Sequence, residues 1–293
     1  MNKLLLIDGF NLLSRCYFAT SYGRDEEQLR RNSEGLCISA LPVVFRKLLD
    51  LIHTYRPTHL LVAWDVKRED TSRRQLFDGY KDTRNELPSP LIEQYEALTH
   101  IFREIGVSQL ALPPYEADDL LGALATKWSR EQNSDCFIYS NDKDLFQLID
   151  ENVSQIIAVP KRGDKVYTKA DFEAEYGISP TQWVDVKSLL GDRSDNIPGV
   201  PGVGEKAALP LIQEYKTLEG IYEDVDKLDT RFNRYKKKLT EGKEFAFLSR
   251  ELAQIIVDIP EITERSFETL SFELNPIAWN EQLKKVELNI IIP

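Results

Sequence analysis

The chain alternates between short apolar runs and longer stretches in which apolar residues recur at helical spacing. Leu4-Leu5-Leu6-Ile7 is a continuous apolar run, the pattern of a parallel strand buried on both faces. Across residues 40–55, Val44, Leu48, Leu51 and Ile52 fall on one helical face. Leu60–Trp64 predicts a second strand, Val107–Leu112 a third, Ala117–Trp128 a helix and Cys136–Tyr139 a fourth strand. This βαβα alternation predicts an α/β fold, with a mostly parallel sheet covered by helices on both faces. Past residue 160 the pattern changes. Lys161-Arg162-Gly163-Asp164 predicts a hairpin turn, followed by helical segments punctuated by Gly and Pro. A boundary near 175 gives a first domain over 1–175, a helical second domain over 176–265, and a mixed apolar and acidic tail over 266–293 to which the sequence assigns no role.

Three predicted strands run into acids. The first ends at Asp8, the second at Asp65, and the fourth leads into Asn141-Asp142-Lys143-Asp144. The carboxyl ends of parallel strands lie on one sheet edge, where ligand sites form, so these acids are expected to converge. Glu116, Asp118 and Asp119 open the predicted helix, with Glu116 and Asp119 roughly 60° apart on its surface. A lone aspartate after a strand is usually a turn or a cap, and a lone Glu-Ala-Asp-Asp is as readily a solvated helix start. Four such groups on one edge are another matter. A helix N-terminus offsets their repulsion by only about 0.3–1 kcal/mol, so the cluster needs raised pKa values or a bound cation. His53, His59 and His100 lie outside these motifs. An all-carboxylate set selects Mg²⁺ or Mn²⁺ over zinc.

Two further acids, Asp192 and Asp195, stand in Gly191-Asp192-Arg193-Ser194-Asp195-Asn196, an ordinary surface turn if taken alone. The residues beyond it give it weight. Ile197 to Ala208 is a Gly-rich turn leading into a helix, with Gly199, Gly202, Gly204 and Lys206 placed to meet a phosphate through backbone N–H groups and charge. Between the second strand and Pro88 the chain is basic and interrupted by aromatics: Lys67, Arg68, Arg73, Arg74, Phe77, Tyr80, Lys81 and Arg84. That mixture suits a nucleic-acid strand, cations on phosphates and rings on bases. Arg231, Arg234 and Lys236-Lys237-Lys238 form a second basic cluster, which fits a solvated surface as well as a duplex track.

Composition alters this picture little. With 42% hydrophobic residues among 293 there is ample core. The net charge of −11 argues at first against nucleic acid, but nine of the acids belong to the expected metal pocket, where divalent ions would neutralise part of the excess. Cys16, Cys37 and Cys136 are widely spaced, without a CxxC pair, and read as reduced thiols. The apolar run after Lys3 is too short for a signal segment, and no stretch approaches the ~18 apolar residues of a membrane span. The expectation is a soluble, cytoplasmic protein.

The segments LLLIDGFNLLSRCYFA, GYKDTR, YEADDLL, SNDKDLFQLI and GDRSDNIPGVPGVGEKAA together closely resemble the bacterial 5′–3′ exonuclease and flap endonuclease family, found also as the N-terminal domain of DNA polymerase I. The resemblance covers about residues 1–265, and the length leaves no room for a polymerase. It implies a PIN-like nuclease core followed by a helix-hairpin-helix domain. By position, Asp8, Asp65, Glu116, Asp118 and Asp119 match a first metal group, and Asp142, Asp144, Asp192 and Asp195 a second. Lys81 and Arg84 match a basic pair in a helical arch, with Tyr80 the neighbouring aromatic that stacks on substrate. The turn Gly199–Gly204 matches the hairpin, where relatives can also hold K⁺. Two departures stand out: Ala40-Leu41-Pro42-Val43-Val44-Phe45 in place of an Ala-x-x-Gly-Phe pattern, and Leu209-Pro210 inside the second hairpin helix, where proline costs about 3 kcal/mol or forces a kink.

The expected activity is hydrolysis of DNA, and of primer RNA, at 5′ ends and 5′ flaps in replication and repair. Two Mg²⁺ or Mn²⁺ ions would assist, with Lys81, Arg84, Asp118 and Asp119 as the catalytic residues of a monomer. A non-catalytic branched-DNA-binding protein is the alternative; it would be expected to have lost some of the nine acids. A phosphatase acting on small esters is a weaker rival, since it has no use for the hairpin or the basic arch.

Overall fold

The computed structural model describes residues 2–159 and 161–292. The first half alternates as the apolar pattern predicts: β1 (Leu4–Asp8), α1 (Gly9–Ser21), α2 (Leu41–Tyr55), β2 (His59–Ala63), α3 (Ser72–Leu76), α4 (Ser89–Glu104), β3 (Ser108–Leu110), α5 (Ala117–Gln132), β4 (Cys136–Tyr139), β5 (Val153–Val159) and β6 (Gly163–Tyr167). The six strands form one sheet in the order β3-β2-β1-β4-β5-β6. All neighbours are parallel except β5 and β6, which make an antiparallel hairpin.

The continuous apolar run of β1 follows from its place at the centre. Leu5 and Ile7 point into a core under α1, α2 and α4, whereas Leu4 and Leu6 point into a second core under α5. A strand buried on both faces has no polar side to show. Leu4 pairs with His59 on one side and Cys136 on the other, so the chain leaves β1 in one direction to β2 and β3, then returns past it to β4. Between β1 and β4 lies the topological switch point, the crevice where open α/β sheets place ligands.

The helical second half comprises α6 (Lys169–Tyr176), α7 (Trp183–Leu190), α8 (Glu205–Tyr215), α9 (Leu218–Glu223), α10 (Asn233–Glu241) and α11 (Lys243–Ala253) around its own core, which includes Trp183, Leu189, Ala207, Leu211 and Leu239. Helices α7 and α8 flank the Gly-rich turn. Gly191 and Gly199 both have positive φ, and their backbones touch: a Cβ on Gly191 would lie 2.7 Å from the Gly199 nitrogen. Only glycine permits that approach. Pro210 lies inside α8, which runs on through it. The carbonyl that loses its donor is that of Lys206, an exposed residue, so water can replace the missing bond.

The chain ends with α12 (Pro260–Thr263) and α13 (Pro276–Lys285). The tail is an integral part of the first domain's core. Trp279 and Leu283, one helical turn apart, are fully buried, and Trp279 meets Phe45 of α2 edge to face. No helix among the described residues is long and apolar enough to cross a membrane.

Candidate active site

Each acid expected at the sheet edge is held by its local backbone. Asp8 ends β1 and caps α1; its carboxylate accepts from the Asn11 N–H at 2.9 Å and from Ser140 Oγ, at the end of β4, at 2.9 Å. Asp65 lies two residues past β2 and accepts from the Ala117 N–H at 3.0 Å, which ties it to the start of α5. Asp118 is in the first turn of α5. Asp142 caps a 3₁₀ turn and accepts from the Asp144 N–H at 2.8 Å.

These four carboxylates converge. Burial and then Asp65 push the Asp8 carboxyl up to about 7. Asp118 is raised well above the usual carboxylate range by burial and by Asp142, Asp8 and Asp65, all of which outweigh Lys81. Burial also raises Asp142. Like charges gathered in a buried place disfavour ionisation, which is what such a cluster must do without an added cation. A second group adjoins it. Asp144 is pushed up to about 7 by burial and Asp142, and one of its oxygens is buried without a hydrogen bond, its nearest counter-charge being Lys187 at 2.8 Å. Lys187, from α7, also lies 2.9 Å from Asp192. Burial would raise Asp192, but Ser194 and Lys187 outweigh it and hold its carboxyl low. Among the described residues no three acids, histidines or cysteines close tightly on one point.

The other expected ligands are spoken for. Asp119 is fully buried, and both its oxygens are saturated: Arg73 donates twice, at 2.7 and 2.8 Å, and the N–H groups of Glu116 and Ile256 donate at 3.0 and 2.8 Å. Four donors fill the lone pairs of a carboxylate. In this conformation Asp119 has no lone pair free for a metal ion. Glu116 reciprocates in a capping box with Asp119. It accepts from Arg73 at 2.9 Å, from the Tyr80 hydroxyl at 2.9 Å, and from Lys81. Burial would raise Glu116, but Lys81 and then Arg73 hold it low.

The basic segment also differs from expectation. Beyond the short α3, residues 78–83 form turns and 84–88 irregular backbone rather than a helical arch. Asp78-Gly79 and Pro88 interrupt helical continuity, and Lys81 has φ +57°. Tyr80 is buried against Val184, Ile197, Leu252 and Ala253, so in this conformation it has no face free to stack on a base. Lys81 is buried between Glu116 and Asp195, the latter at 3.8 Å, and Arg84 pairs with Asp195. The Lys81 N–H donates to the Asp195 carbonyl at 2.9 Å, and Asn196 donates to the Gly79 carbonyl at 2.7 Å, docking the turn on the second domain.

At the hairpin, Gly199 is buried and its N–H donates to Ser249 Oγ at 2.9 Å, so in this conformation that N–H is already engaged. The Gly202 carbonyl accepts from Lys238 at 3.1 Å. Gly204, the N-cap of α8, and Lys206 stand exposed. Three contributors escaped the sequence reading: Lys187, Ser249 and, in its true role, Arg73. Lys187 left one signal, the lone cation in the mainly apolar α7; the other two left none.

Two family descriptions match the chain: the 5′-3′ exonuclease N-terminal resolvase-like domain over residues 3–177, and the 5′-3′ exonuclease C-terminal SAM fold over 178–276. A 5′-3′ exonuclease of Halalkalibacterium halodurans is 58% identical over 91% of this chain and 88% of its own length. The DNA polymerase I of Streptococcus pneumoniae is 38% identical over 88% of this chain, which spans 29% of that protein. Among solved structures, a T5 flap endonuclease variant in a pseudo-enzyme-product complex with DNA and metal ions has the same fold, with a TM-score of 0.66 at 20% identity over 98% of this chain and all of that one.

Proposed function

This chain belongs to the 5′-3′ exonuclease family, and we propose that it cuts DNA at 5′ ends and at 5′ flaps, with divalent cations seated on the carboxylates at the β1–β4 switch point. The observation that carries this reading is the mutual repulsion of Asp8, Asp65, Asp118 and Asp142 on one sheet edge, with Asp144 beside them. The donors are all oxygen, and the repulsion is what a hard cation relieves, so the residues fit Mg²⁺, with Mn²⁺ as a substitute. Asp8, Asp65, Asp118 and Asp142 would hold one ion, and Asp144 and Asp192 would help hold another. Bound there, such ions supply a hydroxide at neutral pH and neutralise the leaving oxygen.

The chain's own groups do the rest. Lys81 and Arg84, already facing Glu116 and Asp195, are placed to turn from those carboxylates to a scissile phosphate as its charge grows. Gly202, Gly204 and Lys206 at the start of α8 present N–H groups and charge to a duplex backbone. Those contacts carry no sequence information, so recognition is of structure. K⁺ at the hairpin, RNA-primed 5′ ends as substrates, a monomeric state and a cytoplasmic place belong to the same proposal.

The test is incubation of an end-labelled 5′-flap duplex with Mg²⁺, Mn²⁺ or EDTA. Cutting near the junction that stops in EDTA is the expected result. Tight flap binding with no cutting under any metal would overturn the nuclease in favour of a branched-DNA-binding protein.

A further inference from the structure

Arg73 is buried in the seam between the two domains, and all five of its N–H groups are used. Three face the site: Nη1 donates to Glu116 at 2.9 Å, and Nη1 and Nη2 together clamp Asp119. Two face the second domain: Nε donates to the Leu252 carbonyl and Nη2 to the Gln254 carbonyl, each at 2.8 Å. Those carbonyls belong to the last turn and the end of α11. One turn earlier on the same helix, Ser249 accepts the N–H of Gly199 in the hairpin turn. An unbroken path of hydrogen bonds and one helical turn thus joins the hairpin to Glu116. Gln147, three residues past Asp144, makes a parallel tie by donating to the Ala253 carbonyl at 3.0 Å.

We propose that Arg73 is a positioning residue that sets the distance between the duplex-gripping hairpin and the acid cluster, and so fixes which phosphodiester bond is cut. The proposal rests on the nuclease reading given above. A guanidinium with five engaged donors allows little play, and lysine, a single rotatable point charge, cannot span the same partners. Both carboxylates it holds lie beside the reacting groups, where a misplacement of about 1 Å costs on the order of a hundredfold in rate.

The experiment resolves product lengths to one nucleotide on a 5′-flap duplex under single turnover, for the wild type, Arg73→Lys, Arg73→Gln and Ser249→Ala, with flap affinity measured in Ca²⁺. The wild type is expected to cut at one dominant position. The Arg73 variants should bind the flap equally well, cut about tenfold to a hundredfold more slowly, and spread their products over neighbouring positions. Arg73→Lys should not restore the single cut. Ser249→Ala removes only the hairpin end of the path and should spread the products in the same way, which keeps the test open if the Arg73 variants do not fold. Variants that cut more slowly, or are less stable, yet keep the wild-type position would overturn the inference. A wild type that cuts nothing would instead overturn the nuclease reading.

Discussion

Lys187 lies between Asp144 and Asp192, 2.8 Å from a carboxylate oxygen of the first and 2.9 Å from one of the second. One residue of the helical domain thereby neutralises an acid from each side of the crevice. Lys187→Met leaves both acids without that partner, and a lost charge-assisted bond at a largely buried position costs about 1–3 kcal/mol. Urea unfolding in EDTA should show that loss. Added Mg²⁺ should raise the melting temperature of the variant more than that of the wild type, since the ion replaces the missing charge. An equal rise in both would show that no ion sits beside Asp144.

Neighbouring aspartates on α5 should behave in opposite ways. Asp118→Asn removes a charge that its neighbours repel, so the folded chain should lose no stability in EDTA while cleavage falls by about a hundredfold or more. Asp119→Asn deprives the buried Arg73 of its main partner, and breaking a buried pair costs about 3–5 kcal/mol. Circular-dichroism melts beside flap-cleavage assays separate the two. An Asp119 variant as stable as the wild type would refute its structural role.

Acidity supplies a third check. Burial first, then Asp65 for Asp8 and Asp142 for Asp144, hold both carboxyls at about 7 in place of 3.8. In that window the folded chain keeps protons that the unfolded chain releases. Their stabilisation is therefore complete below 3.8 and is lost as pH rises through about 7. In EDTA the melting temperature should fall between about pH 4 and about pH 7, and Mg²⁺ at the higher pH should reverse the fall. A flat profile would mean that the carboxylates are not crowded.

The tail offers a test remote from the chemistry. Trp279 is fully buried against Phe45, and Trp279→Ala should cost about 3–5 kcal/mol in urea unfolding. A cost under about 1 kcal/mol, the level of an ordinary surface change, would place the tail outside the core.

The parts of the molecule legible in the sequence are those governed by short-range periodicity. Leu4–Ile7 could only be a doubly buried strand, and the acids after it, after β2 and after β4 had to meet once the sheet was parallel. What the sequence withheld was partnership. Arg73, Tyr80 and Lys81 look alike as members of a basic, aromatic stretch. Their partners lie at Glu116, Asp119, Asp195, Leu252 and Gln254, and nothing local distinguishes a cation that meets DNA from one that meets a carboxylate. Asp118 and Asp119 were inseparable for a related reason. The capping box sends one inward to Arg73 and leaves the other at the site, although the Glu116–Asp119 spacing was a visible hint of that box. Trp279 and Leu283, four residues apart, carried an unread helical signal in the tail.

The sheet order also bears on how the molecule comes into being. Leu4 completes its strand pairing only when Cys136 arrives, and the counter-charge at Asp144 waits for Lys187. Chains emerge from the ribosome N-terminus first, so Asp8 and Asp65 are made long before the partners that gather them. A half-synthesised copy can pair β1 with β2 but lacks Lys187 and the loop of Asp192 and Asp195, so the acid cluster is completed only late in synthesis.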